Sequence, residues 1–269
     1  MNRYTLCGEN ELDIVKTFEC GQCFRWNADE HGVYHGVAYG YAAQIGVSDG
    51  EVYIISEAPS ELWRDYFDMH TDYAAISAGF DGGEYLRTCA EYGKGIRILR
   101  QEPWEALCSF IISQCNNITR IKGIVERLCS MFGEEKCFMG QRYFAFPSAQ
   151  RVARLSVQEL APIRAGYRAE YIIEAARAVC EGRLDLAELA RSDYREAIKK
   201  LRTVRGIGEK VANCVVLFGL GHMEAFPVDV WMKRALSEHF PEDFEPESLG
   251  EYAGLAQQYI FYYARSMGR

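Results

Sequence analysis

Two residues in a basic, glycine-punctuated stretch could carry covalent chemistry. Lys210 follows Gly206-Ile207-Gly208-Glu209, and Asp229 comes twenty-one residues after Gly208 in Phe226-Pro227-Val228-Asp229-Val230-Trp231. An unprotonated lysine amine is a nucleophile that forms Schiff bases, and a nearby carboxylate stabilises positive charge developing at the reacting carbon. The two glycines lie between helical patterns. They make a tight turn whose free N–H groups, with the helix start near Glu209, suit an anion. Arg195, Lys199, Lys200, Arg202, Arg205 and Lys210 crowd this stretch against Glu196 and Glu209. No Gly-Lys-Ser/Thr follows at P-loop spacing, so a nucleotide loop is excluded and a phosphate backbone is the better ligand. By residue type alone, a helix N-cap is the better reading of Asp229 and a surface lysine the better reading of Lys210.

The ten cysteines include one Cys-x-x-Cys pair, Cys20 and Cys23. No second pair and no histidine spacing completes a zinc site, so two buried thiols at a strand end are expected rather than a redox or metal centre.

These residues need a scaffold. Residues 33–56 carry β-branched and aromatic runs, and Asp49-Gly50 marks a hairpin between Ile45-Gly46-Val47 and Val52-Tyr53. Gln22-Cys23-Phe24-Arg25-Trp26 reads as a further strand. From about residue 60 the period becomes helical. Pro103 opens a helix to about Ser113, and Ile118, Ile121, Val125 and Leu128 mark the next. Tyr171, Ala175 and Val179 mark another, stopped by Gly182. Further helices are expected over 211–220, 229–239 and 249–266. The fold class is α+β: an N-terminal antiparallel sheet domain with its following helix over 1–92, then a mainly helical domain over 93–269. That second domain holds the hairpin at 201–214 and the Gly/Pro loop with its aspartate at 219–231.

With the hairpin and the Pro227-Val228-Asp229 element together, the chain resembles the helix–hairpin–helix (HhH-GPD) DNA glycosylase superfamily. Within it, the chain is similar to the 8-oxoguanine DNA glycosylases, from about Phe18 to Arg265. Cys20-Gly21-Gln22-Cys23-Phe24-Arg25-Trp26 resembles the family's N-terminal element, where the carbonyl of Gly21 would accept the N7 proton of the oxidised base. The run Phe110 to Ile121 resembles the segment that fills the hole left by an extruded base, which implies DNA contacts for Cys115, Asn116 and Arg120. Gly166-Tyr167-Arg168 resembles the segment holding the orphaned cytosine. Tyr252 to Phe261 resembles the pocket helix. A base inside a duplex must be flipped out before attack and held by flat or soft groups. The resemblance implies Cys214 and Phe261 as the walls and Gln257 on the Watson–Crick edge. It implies Lys210 as nucleophile, Asp229 as charge stabiliser, and Gly206 and Gly208 at the DNA backbone. Trp231 would offer a stacking surface near the same backbone. Cys115 stands where the family carries an asparagine.

The implied partner is double-stranded DNA containing 8-oxoguanine, bound by a monomer, with no membrane. No metal is implied beyond a monovalent cation bridging the hairpin to a phosphate. Readings that compete are a related glycosylase for another damaged or mismatched base, a non-catalytic DNA-binding hairpin module, and a thiol oxidoreductase. The iron–sulfur branch carries four cysteines after the aspartate, and this chain has none after Cys214.

The 269-residue chain has 49% hydrophobic and 25% charged residues, the composition of a soluble globular protein of one or two domains. No basic stretch leads into an apolar core near Met1, so cytoplasmic residence is expected. Its net charge of −8 argues against nucleic acid until it is divided. Residues 1–92, 93–235 and 236–269 carry net charges of −11, +7 and −4. The basic middle contains the hairpin, Lys210, Asp229, Arg120 and Arg168.

Overall fold

Alternating apolar residues and tight turns build the first third of the chain into one antiparallel sheet. Its strands are β1 (Asn2–Gly8), β2 (Trp26–Ala28), β3 (Tyr34–Ala38), β4 (Tyr41–Ser48) and β5 (Glu51–Ser56), in the order β1-β5-β4-β3-β2. The computed structural model describes residues 1–80 and 82–268. Asp49 (φ 55°) and Gly50 (φ 77°) form the two-residue turn between β4 and β5, pairing Ser48 with Glu51. Inward residues Ile45, Val52 and Ile54 meet Phe18, Trp26, Trp63 and Phe67 in a first core. Phe18 stacks on Trp26 with ring centroids 4.6 Å apart.

The predicted strand over 22–26 is present only at its last residue, where Trp26 begins β2. Upstream, the chain leaves α1 (Ile14–Glu19) through Gly21 at φ 86°, which ends any extended run. The buried side chain of Gln22 supplies the hydrogen bonds a ladder would have made. Its Nε2 donates to Thr17 O (3.0 Å) and Arg97 O (2.8 Å), and its Oε1 accepts from Leu99 N (2.8 Å).

Helices follow from residue 60: α2 (Ser60–Tyr66), α3 (Tyr73–Ala78), α4 (Gly83–Tyr92), α5 (Pro103–Ser113) and α6 (Ile118–Phe132). Pro103 sits in the first turn of α5, as expected, with Glu102 capping it. A short hairpin, β6 (Glu135–Phe138) and β7 (Gln141–Phe144), interrupts the helices. It docks on the first sheet: Lys136 Nζ and Tyr143 OH both donate to Gly40 O at 3.2 Å. Then come α7 (Ala149–Ala153), α8 (Val157–Leu160), α9 (Arg168–Cys180), α10 (Leu186–Leu189), α11 (Tyr194–Leu201), α12 (Glu209–Phe218), α13 (Val230–His239) and α14 (Ala253–Met267). α5, α6, α9, α12 and α14 bury their apolar faces in a second, larger core. No helix among the described residues is long and apolar enough to cross a membrane.

Candidate active site

The hairpin is α11, a turn and α12. Its two glycines have different reasons. Gly206 (φ 91°) lies against Tyr171 of α9; a Cβ there would fall 2.1 Å from the Tyr171 ring. Gly208 has an ordinary φ of −84°, caps α12, and has open space where a Cβ would be. Gly206 therefore packs the hairpin onto the body, and Gly208 keeps its outer backbone bare. Gln114, the C-cap of α5, ties the turn down by donating from Nε2 to Gly206 O (3.0 Å).

Lys210 lies in the first turn of α12 and Cys214 one turn on, so both project from one face. Together with Gly21, Phe110, Asp229, Gln257 and Phe261 they line an open pocket of about 330 Å³, mouth included. Lys210, Asp229, Cys214, Gln257, Phe261 and Gly21, distributed over most of the chain's length, thus come to one place.

Each wall has a local cause. Asp229 is both things its residue type allowed. Its Oδ1 caps α13, accepting from Trp231 N (3.0 Å) and Met232 N (2.9 Å), while Oδ2 takes no hydrogen bond among the described residues. Cys214 is buried, and burial raises its thiol above the ordinary range, with the Lys210 ammonium pulling it down and Asp229 pushing it up. The thiol is a neutral, soft surface. Gln257 is 4% exposed, and its Oε1 is a buried acceptor with no donor among the described residues. Such an orphan is costly unless an incoming group satisfies it. Gly21 is held from both sides: Gln22 anchors the chain below it, and on α14 Gln258 Nε2 donates to Cys20 O (2.9 Å). A Cβ on Gly21 would lie 3.5 Å from the Phe261 ring.

Phe110 was not singled out as a wall by its residue type. It lies beneath Lys210, whose Nζ is 5.7 Å from its ring centroid, and it stacks on Phe218 at 5.3 Å. Only its place in α5, four residues before Gln114, hinted at this.

The expected DNA-contacting residues gather at a second place, the loop between α5 and α6 and the start of α9. Cys115 is exposed with φ 46°. Asn116 Nδ2 donates back to Ile112 O (3.1 Å). Arg120 is exposed with a free side chain among the described residues. Tyr167 is 51% exposed and caps the entry to α9.

Two of the expected contact residues are packed against neighbours. Arg168 lies beneath the loops before α6 and α9. It is 4% exposed, and its guanidinium donates to the carbonyls of Gln114, Cys115 (3.1 Å) and Ala165 (3.1 Å). These bonds tether two loops and occupy four of the five guanidinium N–H donors. Trp231 is half-buried. Its indole packs on Gly268 and lines a groove between α13 and α14 with Tyr85 and His239.

Cys20 and Cys23 are both buried, and burial pushes the Cys20 thiol up to about 11 and Cys23 further. Both thiols are held in the neutral form by burial. Among the described residues no group of three or more His, Cys, Asp or Glu is placed to hold a metal.

Comparison with known proteins gives the chain's family. Residues 5–107 match the family "8-oxoguanine DNA glycosylase, N-terminal domain", and residues 108–249 match "HhH-GPD superfamily base excision DNA repair protein". The N-glycosylase/DNA lyase of Saccharomyces cerevisiae is 40% identical over 259 residues, covering 84% of this chain and 68% of that protein. Among solved structures, MBOgg1 in complex with a low-affinity DNA ligand superposes with a TM-score of 0.93 at 36% identity, covering 100% of this chain and 97% of that one. The Clostridium acetobutylicum 8-oxoguanine glycosylase/lyase, bound to duplex DNA with cytosine opposite 8-oxoG, gives 0.89 at 32% identity, covering 97% and 94%. The chain therefore belongs to the HhH-GPD superfamily of base excision DNA repair proteins and carries the N-terminal domain of its 8-oxoguanine DNA glycosylase branch.

Proposed function

We propose that this chain is a DNA glycosylase and AP lyase that excises 8-oxoguanine from duplex DNA. The observation that carries the reading is the single pocket that joins an amine, a carboxylate and a buried amide oxygen lacking a donor among the described residues. The Watson–Crick edge of a flipped purine supplies N–H donors for Gln257, while Phe261 and Cys214 cover the ring faces. The carbonyl of Gly21 accepts the extra N7 proton that distinguishes the oxidised base.

The chemistry follows from these groups. Neutral Lys210 attacks C1′, the N-glycosidic bond breaks, and the base leaves with the bonding electrons and takes up a proton. Asp229 stabilises the positive charge on the sugar through its open oxygen. The sugar ring opens to a Schiff base on Nζ. Loss of a C2′ proton then expels the 3′ phosphate, and hydrolysis frees the lysine. The enzyme acts as a monomer on DNA. The turn carbonyls of Arg202, Thr203, Arg205 and Ile207 accept no hydrogen bond among the described residues, which suits a monovalent cation between the turn and a phosphate. Such a cation would supply positive charge for the DNA backbone only.

Single-turnover assays on duplexes carrying 8-oxoguanine, an oxidised pyrimidine or an alkylated purine test the reading. Excision of 8-oxoguanine at least 100-fold faster than the other two, and fastest opposite cytosine, is expected. A faster rate on either of the others overturns the substrate. Equal rates opposite all four bases overturn the cytosine preference.

A further inference from the structure

All four glutamines that are buried among the described residues, Gln22, Gln101, Gln257 and Gln258, lie in the loop after α1, against it, or in the pocket beside it. Burying an amide costs free energy unless it is paired, and an apolar side chain of that size fills a core with no such condition. A cluster of them needs a reason besides packing. Gln257 has one in its open acceptor. Gln22 pins its own stretch of chain, and Gln101 and Gln258 spend amide hydrogens on the carbonyls of that stretch.

Three of the four carbonyls over residues 19–22 are taken by side chains. Arg265 Nη2 donates to Glu19 O (2.9 Å), Gln258 Nε2 to Cys20 O (2.9 Å) and Gln101 Nε2 to Gln22 O (2.7 Å). Gly21 O accepts no hydrogen bond among the described residues. Gly21 lines the pocket, where a Cβ on it would lie 3.4 Å from Arg265 Nη1. Its φ of 86° is open to glycine, and glycine also lets the peptide that follows it rotate at little steric cost. Half a turn of that peptide would put the Gln22 N–H where the Gly21 carbonyl stands, exchanging an acceptor for a donor. The bond to Cys20 O fixes the peptide before Gly21, and the bond to Gln22 O fixes the peptide after Gln22. The peptide between them is thereby held to one orientation.

We infer that Gln258 and Gln101 are positioning residues that keep the Gly21 carbonyl presented to the bound base, and so set the preference for a purine carrying hydrogen at N7 over one whose N7 is a bare acceptor. The inference rests on the proposed function, which makes a flipped purine the occupant of the pocket, and it names the side chains that hold the selectivity. Both act through the backbone rather than on the base. A satisfied buried network of this kind specifies one arrangement where apolar contacts would allow several.

The test uses Gln258→Met and Gln101→Met, which keep side-chain length and remove the donor, each in the full chain. Duplex Kd is measured in a Lys210→Gln background, which blocks turnover, with 8-oxoguanine or 8-bromoguanine opposite cytosine. Both bases carry a substituent at C8, and only the first has hydrogen at N7. The parent is expected to bind 8-oxoguanine at least about 10-fold more tightly, and each methionine variant to narrow that ratio to about 3-fold or less, the scale of one hydrogen bond. Affinity for undamaged duplex stays at the parent value. An unchanged ratio, with affinity for both bases kept or lost in equal proportion, makes the glutamines structural and overturns the inference. Equal affinity of the parent for the two bases also overturns it. If Gln258→Met fails to fold, Gln101→Met decides by the same ratio. Single-turnover excision by the wild-type chain separates the two readings. If 8-oxoguanine is excised and the ratio does not move, the inference falls and the proposed function stands. If 8-oxoguanine is not excised while the ratio narrows, the proposed function falls and the positioning role stands.

Discussion

Asp229 shows how one side chain serves fold and chemistry together. One oxygen caps α13, the other takes no hydrogen bond among the described residues, and the residue lines the pocket. Asparagine caps a helix about as well as aspartate, so Asp229→Asn removes charge while keeping the cap. Melting temperature within about 2 °C of wild type is expected, with DNA binding within threefold. The single-turnover rate should fall about 10²–10³-fold, the scale for one electrostatic stabiliser of a developing charge. Retention of the rate would leave Asp229 as a cap alone. Residue type forecast both roles, because capping and charge stabilisation draw on the same carboxylate. It did not show how Arg168 and Trp231 pack, because that is decided by neighbours distant in sequence: the carbonyls of Gln114 and Cys115 for one, Gly268 for the other.

At the level of elements, the hairpin was legible because two glycines between two helical patterns leave few alternatives. Helix α5 was readable from Pro103, and the β4–β5 turn from Asp49-Gly50. Strand β1 was not, since Asn2–Gly8 has only one buried side chain to mark a face. The β6–β7 hairpin was hidden because its turn, Met139-Gly140, puts methionine where asparagine or aspartate would signal it. The segment over 22–26 misled because its hydrophobicity serves the cores while the side chain of Gln22 replaces a ladder. The two hairpin glycines should separate in a mutational test. Gly206→Ala drives a methyl into Tyr171 and is expected to destabilise by about 2–4 kcal/mol in urea unfolding. Gly208→Ala meets no atom, so stability should change by under about 1 kcal/mol while duplex affinity falls severalfold. Equal destabilisation by both would contradict the division between packing and backbone access.

For the whole molecule, the joint between sheet and helices contains a buried charge cluster. Arg25 donates to Phe144 O and lies 3.6 Å from Glu105, beside Glu102. Burial pushes Glu105 up to about 7, outweighing the attraction of Arg25, with Glu102 adding to the rise. Below about pH 4.5 the carboxyl is protonated in both folded and unfolded chains. Between 4.5 and 7 the unfolded chain releases the proton first, so folding stability falls as pH rises across that window. A loss of roughly 1–3 kcal/mol between pH 4.5 and 7.5 is expected, and Glu105→Gln should flatten it. Urea melts of both proteins across that range would contradict this if the slopes coincide. The −8 of the chain likewise has meaning only once distributed. The basic segment supplies the hairpin and the exposed arginines, and the pocket supplies specificity.

Formation of a covalent bond between Lys210 and the sugar is the central claim. Borohydride trapping on an 8-oxoguanine:cytosine duplex, with the adduct located by peptide mass spectrometry, tests it directly. The adduct is expected on Lys210 and should be absent from Lys210→Gln. An adduct on another residue, or trapping of Lys210→Gln at the wild-type yield, would contradict the account.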